Sequence, residues 1–407
     1  MTKKRYIFYI VILGFLTALS PFSIDMYLPA FQDIAESLHT TTAKVDLSLS
    51  SFFVGLAFGQ MIYGPLMDKF GRKKPLYVGM CLYIIASVAC FLSTSVDMLI
   101  AARLVQAIGS CAAGVASVAM VRDLFPVKDS TKVFALLVLI LGASPLVAPT
   151  VGGYLAEAFG WQSVFIVLLV IAAVVFFTVM FALPESYKPD SNYSLKPAAI
   201  TGKFIEVIRN PQFFTYAVSG SLAFCGLFAY VAGSPLVFMD VFALSKKEYS
   251  WLFAGLSVGF IGSSQINSLL IKRFKSEQII KVALTMQLLV GALFLFGSIY
   301  GWYGVGGTVA MIFMMLCCVG LCSPNTSALS MAPFSENAGV ASAFLGTMQL
   351  GLGAVSSFFI SVFHSRSTVP MSAVVACSSA LALVVLLIGR TRIKNTVNAD
   401  FSGQVGH

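Results

Sequence analysis

Two charged residues sit where charge is expensive. Asp25 lies well inside an apolar run, the only one of the 17 acidic residues read that way, and Arg103 is the one cation similarly placed. A carboxylate in hydrocarbon costs at least a few kcal/mol, and desolvation favours its neutral form. Asp25 is therefore suited to take up and release a proton near neutral pH. At about 1.5 Å per helical residue, Asp25 lies roughly 9 Å from the end of its run near Phe31, and Arg103 about 10 Å from the outer end of its own. At equal depth the two could pair. Two simpler readings stay open: Asp25 snorkels to water, or Arg103 only ties helix backbones together.

Composition says what must hold these residues. Of 407 residues, 58% are hydrophobic and 11% charged, against roughly a quarter charged in soluble domains, which excludes an ordinary soluble enzyme. The net charge of +9 sits in short breaks between apolar runs rather than on a basic face, so a membrane explains it better than nucleic acid. The eight cysteines all fall in apolar runs, where free cysteine behaves as a small hydrophobe. No disulfide, metal or cofactor is expected. The first twenty residues imitate a signal peptide, but the apolar run continues past Pro21 and is taken as the first span.

Apolar runs long enough to span a bilayer fall at 6–31, 43–67, 75–94, 96–121, 132–156 and 161–183, then at 212–239, 248–271, 277–300, 303–331, 336–362 and 368–390. This predicts an all-α integral membrane protein of twelve transmembrane helices. Residues 1–183 form one six-helix half, 184–211 a central polar break, and 212–407 a second half with a short tail. Of the 26 basic residues, 21 fall on the side holding both termini and four on the other, namely Lys44, Lys246, Lys247 and Arg366. Cytoplasmic loops hold such an excess, so both termini are expected in the cytoplasm.

One break carries a motif: Gly64-Pro65-Leu66-Met67-Asp68-Lys69-Phe70-Gly71-Arg72-Lys73-Lys74. Gly71 permits a tight reversal, and Asp68 among cations can hold neighbouring helix ends together. The run resembles the loop motif of the major facilitator superfamily, matching at Gly64, Leu66, Asp68, Gly71, Arg72 and Lys73; Lys69 stands where that motif usually has Arg. Residues Leu99 to Gly109 resemble its fourth-helix motif with an intramembrane Arg. Gly142-Ala143-Ser144-Pro145-Leu146-Val147-Ala148-Pro149-Thr150-Val151-Gly152-Gly153 resembles its fifth-helix antiporter motif, departing at Ala148. Ser23-Ile24-Asp25-Met26-Tyr27-Leu28-Pro29-Ala30 is similar to the first-helix signature of the bicyclomycin and chloramphenicol resistance branch (Bcr/CflA) of drug/proton antiporters.

The resemblance implies the major facilitator fold and alternating access around a cavity between halves. It sets the helices of Asp25 and Arg103 on that cavity, which implies a proton-coupling link between the two residues, direct or through water and Gln106. It makes Gly64, Asp68, Gly71, Arg72 and Lys73, with Gly142, Pro145, Pro149, Gly152 and Gly153, conformational elements. Polar and aromatic residues at usable depth, Tyr27, Gln60, Gln106, Phe224, Tyr230, Gln265, Asn325 and Gln349, are candidates for binding substrate, since lipophilic compounds suit an apolar pocket with a few polar groups.

The reading is a proton-coupled multidrug exporter in the bacterial inner membrane, acting as a monomer on lipophilic small molecules, with protons and lipid as its other partners. The alternative is a proton-coupled carrier of a single endogenous metabolite. A membrane enzyme comes third: Gly255-Leu256-Ser257-Val258-Gly259 matches the G-x-S-x-G pattern but falls within a span rather than on a strand-to-helix turn.

Overall fold

The computed structural model describes residues 3–189, 197–334, 338–363 and 367–393, and every regular element in them is helical. Arg366, Lys196 and Lys394, which entered the charge count, lie outside the described residues. In chain order the helices are α1 (Lys3–Asp25), α2 (Phe31–Ser37), α3 (Thr42–Phe70), α4 (Lys73–Phe91), α5 (Val96–Leu124), α6 (Val127–Phe159), α7 (Gln162–Ala182), α8 (Pro197–Arg209), α9 (Pro211–Pro235), α10 (Lys246–Leu270), α11 (Ser276–Ile299), α12 (Val305–Met331), α13 (Ala338–Val362) and α14 (Val369–Arg392). Among the described residues, eleven segments are long and apolar enough to cross a membrane. The twelfth long helix, α10, has 25 residues but carries Ser263, Ser264, Gln265, Asn267 and Ser268 near its end, which lowers its mean hydropathy. Large apolar side chains such as Val78, Ile85, Phe159 and Phe181 are more than 60% exposed, as lipid-facing helices require.

Two features depart from the sequence reading. The first span, read from its sequence as interrupted at both Pro21 and Pro29, is interrupted only at the second: α1 runs through Pro21 and ends at Asp25, a single 3-10 turn containing Pro29 follows at Leu28–Ala30, and α2 begins at Phe31. Pro29 lies four residues beyond Asp25, where its ring would clash with the Asp25 carbonyl of a continuing α-helix. The central polar break also contains a helix, α8, which takes up thirteen of its residues.

Helix packing forms two compact units. Unit 1 comprises Met1–Lys196, Ala232–Ser257 and Ser357–Arg366, and unit 2 comprises Pro197–Val231, Val258–Ser356 and Ser367–His407. Unit 1 thus joins α1 to α7 with the last turn of α9, the start of α10 and the last turns of α13. Within it α3 lies closely on α5: a Cβ on Gly55 would stand 2.5 Å from the Leu104 carbonyl oxygen, and one on Gly59 2.6 Å from Cys111 Cβ. Between α9 and α10 the chain makes a π-helical turn, Leu236–Val241.

Among the described residues, unit 2 packs around at least two apolar centres. Tyr216, Ala223, Leu284, Cys322, Leu329 and Leu386 pack α9, α11, α12 and α14 together. Val207 of α8 joins Phe213, Ala217, Ala341 and Leu345, so α8 is held against α9 and α13.

Candidate functional site

The helix break after α1 sets Asp25 against α6. Asp25 is 6% exposed, so it does not snorkel. Its carboxylate accepts a hydrogen bond from Ser144 Oγ of α6 at 3.2 Å. One helical stretch further on, a Cβ on Gly152 would collide with the Met26 carbonyl oxygen, so only glycine lets α6 cross the chain immediately after Asp25. Ser250 Oγ of α10 donates to the Pro149 carbonyl at 3.0 Å and lies 3.0 Å from where a Gly153 Cβ would be. Pro149, Gly152 and Gly153 therefore form the floor beneath the Asp25 turn, while Gly142 and Pro145 lie on the same helix before them.

Arg103 is fully buried, yet Asp25 is not its partner. Its guanidinium donates to Gln106 Oε1 at 2.7 Å and to the Ser23 carbonyl at 3.0 Å. The rings of Phe52 and Tyr27 lie 4.1 and 4.6 Å from its Cζ. Among the described residues no salt bridge joins Asp25 to Arg103. The direct pair is absent; what links the two is the α1 backbone at Ser23. Gln106 Nε2 in turn donates to Ser87 Oγ at 2.8 Å, and Ser23 Oγ bonds the Tyr83 hydroxyl at 2.7 Å, so α1, α4 and α5 share one polar network.

The substrate candidates divide between the units. In unit 1, Tyr27 and Gln106 are 0% exposed; Tyr27 bonds Ser48 Oγ through its hydroxyl and Gln106 bonds Arg103 and Ser87. Gln60 is half-buried. In unit 2, Asn325 is buried and donates to Asn267 Oδ1 at 2.6 Å, and Tyr230 is buried. Phe224 is half-buried in an aromatic group with Phe228 and Phe260; Gln349 is half-buried and Gln265 exposed. Ser257 of the G-x-S-x-G pattern lies mid-helix and donates to the Phe253 carbonyl.

At the α3–α4 reversal, Gly71 adopts φ +84°, a conformation that favours glycine. Arg72 is the hub. It bonds Asp68 within its own turn at 2.8 Å and Asp123 at the end of α5 at 2.9 Å, with the Tyr187 ring 4.2 Å away. Burial opposes its charge, but the bonds and charges of Asp123 and Asp68 outweigh that and hold the guanidinium above its usual range. Glu185, just beyond α7, accepts from the backbone N–H of Arg72 and of Lys73; Lys73 Nζ donates to the Leu183 carbonyl at 2.6 Å. The sequence reading gave Asp68 the role of joining helix ends; Asp123 and Glu185 do so, and Asp68 bonds only locally. No atom lies within 4 Å of a Cβ built on Gly64, so nothing in unit 1 demands glycine there.

The opposite end of unit 1 holds what the sequence reading missed. Asp46, near the start of α3, is 3% exposed, so Asp25 is not the lone buried acid. It lies two residues after Lys44 in a polar stretch that reads as a solvated helix start. Ser361 Oγ and Ser357 Oγ of α13 lie 2.6 and 3.5 Å from its carboxylate oxygens. Nearby, Asp240 in the π-helical turn accepts from Gln32 and Thr42, each at 2.6 Å, and Lys246 pairs with Asp33 at 2.6 Å.

Comparison with known proteins places this arrangement. The Major Facilitator Superfamily profile matches residues 13–357. The chain belongs to that superfamily. Among its relatives, an MFS-type transporter of Bacillus subtilis strain 168, YdgK, described as uncharacterized, is 31% identical over 383 residues, covering 93% of this chain and 94% of the relative. A "Bicyclomycin resistance protein homolog" of Haemophilus influenzae is 29% identical over 91% of this chain and 92% of its own. A "Multidrug resistance protein MdtL" of Shewanella sp. strain ANA-3 is 26% identical over 91% and 93% respectively. These names agree with the Bcr/CflA resemblance of the first-helix signature. A bacterial homologue of the human lysosomal transporter Spinster, solved inward-facing and unoccupied, superposes with TM-score 0.69 over 96% of both chains at 15% identity, a likeness of fold. The family is one of membrane transporters, so the chain is a multi-pass carrier of small molecules.

Proposed function

We propose that this carrier exports lipophilic compounds in exchange for protons. The observation that carries the reading is Asp25: a buried carboxylate, set at a helix break, with one hydroxyl donor and no cation partner among the described residues. Ionised, such a group pays a desolvation cost of a few kcal/mol, and a proton removes it. A compound that enters favours the ionised state only if the cavity rewets or supplies a partner, so proton release and drug entry compete at one place. The two six-helix halves, 1–183 and 212–407, joined by 184–211, would rock to expose that place alternately. The 21-to-four basic asymmetry supports a bacterial inner-membrane location with the Asp68–Lys74 end and both termini cytoplasmic. The names of the bicyclomycin- and multidrug-resistance relatives support drugs as cargo.

Transport into proteoliposomes under an imposed pH gradient tests this. Wild-type protein should move unrelated lipophilic cations and neutral drugs uphill. Asp25→Asn should bind a neutral drug but lose pH-driven accumulation. Accumulation at the wild-type rate in Asp25→Asn would remove Asp25 from coupling, and transport of one metabolite alone would replace the exporter reading.

A further inference from the structure

The transport reading leaves a second buried acid unused. Asp46 has no cation within salt-bridge distance among the described residues, and its carboxylate meets only hydroxyls. Ser361 Oγ is 2.6 Å from Oδ2 and also 3.0 Å from the Ser357 carbonyl. Ser357 Oγ is 3.5 Å from Oδ1 and 2.7 Å from Ser50 Oγ. A hydroxyl has one proton to give. If Asp46 is ionised, Ser361 must choose between the carboxylate and the Ser357 carbonyl. If Asp46 carries a proton, it donates to Ser361 Oγ, Ser361 donates to the Ser357 carbonyl, and both contacts are made at once.

The neighbouring ionisable groups are otherwise engaged. Tyr27 bonds Ser48 through its hydroxyl. On α5, Arg103 is bound by Gln106 and the Ser23 carbonyl. Asp33 of α2 pairs with Lys246 of α10, and Asp240 of the π-helical turn takes Gln32 and Thr42. Lys44, on the same helix, is exposed. The described residues of α13 contain no ionisable side chain; His364 and Arg366 beyond it lie outside the described residues.

We propose that Asp46 is a second proton-binding site of this carrier, filled while the last turns of α13 are docked on α3 and emptied when they part. On parting, the Asp46 O–H bond breaks, its proton passes to water at that end of the molecule, and the carboxylate is hydrated; on docking, one proton returns from the same side. The proton is not carried across. It makes low pH on the outer side favour the docked state, so the same acid that loads Asp25 from outside also closes the way behind it. The inference rests on the transporter reading and the orientation in Proposed function, but not on the cargo or on Asp25.

The test is the distance between spin labels on unnatural amino acids at positions 44 and 363, both exposed, in nanodiscs with neither drug nor pH gradient. One linked proton changes a population ratio by up to about tenfold per pH unit. Wild-type protein should therefore lose its short-distance population by about tenfold or more between about pH 5 and about pH 9. Asp46→Asn, which keeps a neutral donor but cannot ionise, should retain the short distance across that range. Ser361→Ala, which removes the partner hydroxyl and leaves the carboxyl, should reduce the short population even at low pH. A wild-type ratio that does not move with pH, or an Asp46→Asn profile that follows wild type, overturns the proposal. If instead Asp46→Asn flattens the profile while Asp25→Asn still transports uphill, the coupling reading falls and the second proton site stands.

Discussion

Asp25, Asp68 and Asp123 are all carboxylates, yet their surroundings give them different work. Asp68 and Asp123 share the Arg72 guanidinium, so their charge is compensated; among the described residues Asp25 has only Ser144. Arg103 is likewise served by neutral groups, the Gln106 amide, the Ser23 carbonyl and two aromatic faces. Removing it strands a buried amide oxygen and a buried carbonyl, each at about 1–3 kcal/mol. Arg103→Ala should therefore lower the melting temperature in detergent by several degrees, with Arg103→Lys in between because an ammonium lacks the planar fork. Because Asp25 is not its salt-bridge partner, the pH midpoint of drug-induced proton release should move little in Arg103→Lys. A large move would mean that Asp25 and Arg103 pair in another state of the cycle. The two lone charges were legible in sequence because each interrupts an apolar run. Asp46 was not, since Thr40, Thr41, Thr42 and Lys44 around it make it look like an ordinary helix start.

At the level of the helices, proximity is created by what is missing. Gly152 has no Cβ, and α6 therefore passes the Met26 backbone; Gly152→Ala should cost about 1–3 kcal/mol by overpacking, read as a fall in thermal stability, and should reduce transport further because it displaces the Asp25 turn. Full activity at wild-type stability would mean that α6 can retreat without consequence. At the α3–α4 reversal, the buried side of Arg72 faces Asp123, whose side chain is 14% exposed against 43% for Asp68. Exposed i,i+4 pairs contribute only about 0.3–0.5 kcal/mol, so Asp123→Asn should destabilise the protein more than Asp68→Asn in a chemical-denaturation comparison. Equal losses would return the joining role to Asp68. The sequence displayed Asp68, Gly71 and Arg72 as a local pattern, but Asp123 and Glu185 come from positions 51 and 113 residues from Arg72, and no spacing rule reaches that far. The break after Asp25 was half legible: Pro29 announces it, while the unbroken hydropathy around it argues for one span.

For the molecule as a whole, hydropathy made eleven spans plain and the alternation of basic breaks ordered them, because the bilayer imposes length and charge asymmetry on any sequence that crosses it. The helix α10 was legible by position rather than by apolarity, and α8 was hidden in a break whose prolines read as irregular chain. The expected orientation can be checked on intact cells. Cysteines placed at the exposed positions 44 and 247 should react with an impermeant maleimide, whereas one at exposed position 74 should react only after permeabilisation, measured against protein bearing its native cysteines alone. Reaction at 74 in sealed cells would invert the topology and with it the side from which Asp46 exchanges its proton.

The π-helical turn at Leu236–Val241 also has a bearing on chain length. A π turn holds about one residue more than the α turn it replaces, so excising a single residue from 236–239 would leave a regular helix rather than a gap. Each residue contributes about 100° of rotation to a helix of 3.6 residues per turn. Excision from the regular part of α9 would swing Asp240 by roughly that angle, away from Gln32 and Thr42, whereas excision within the π turn gives up only its surplus residue and would leave the aim of Asp240 nearly unchanged. Insertions and deletions are usually judged by whether a helix survives them; here the helix would survive either deletion, and only the one outside the π turn would cost it its aim.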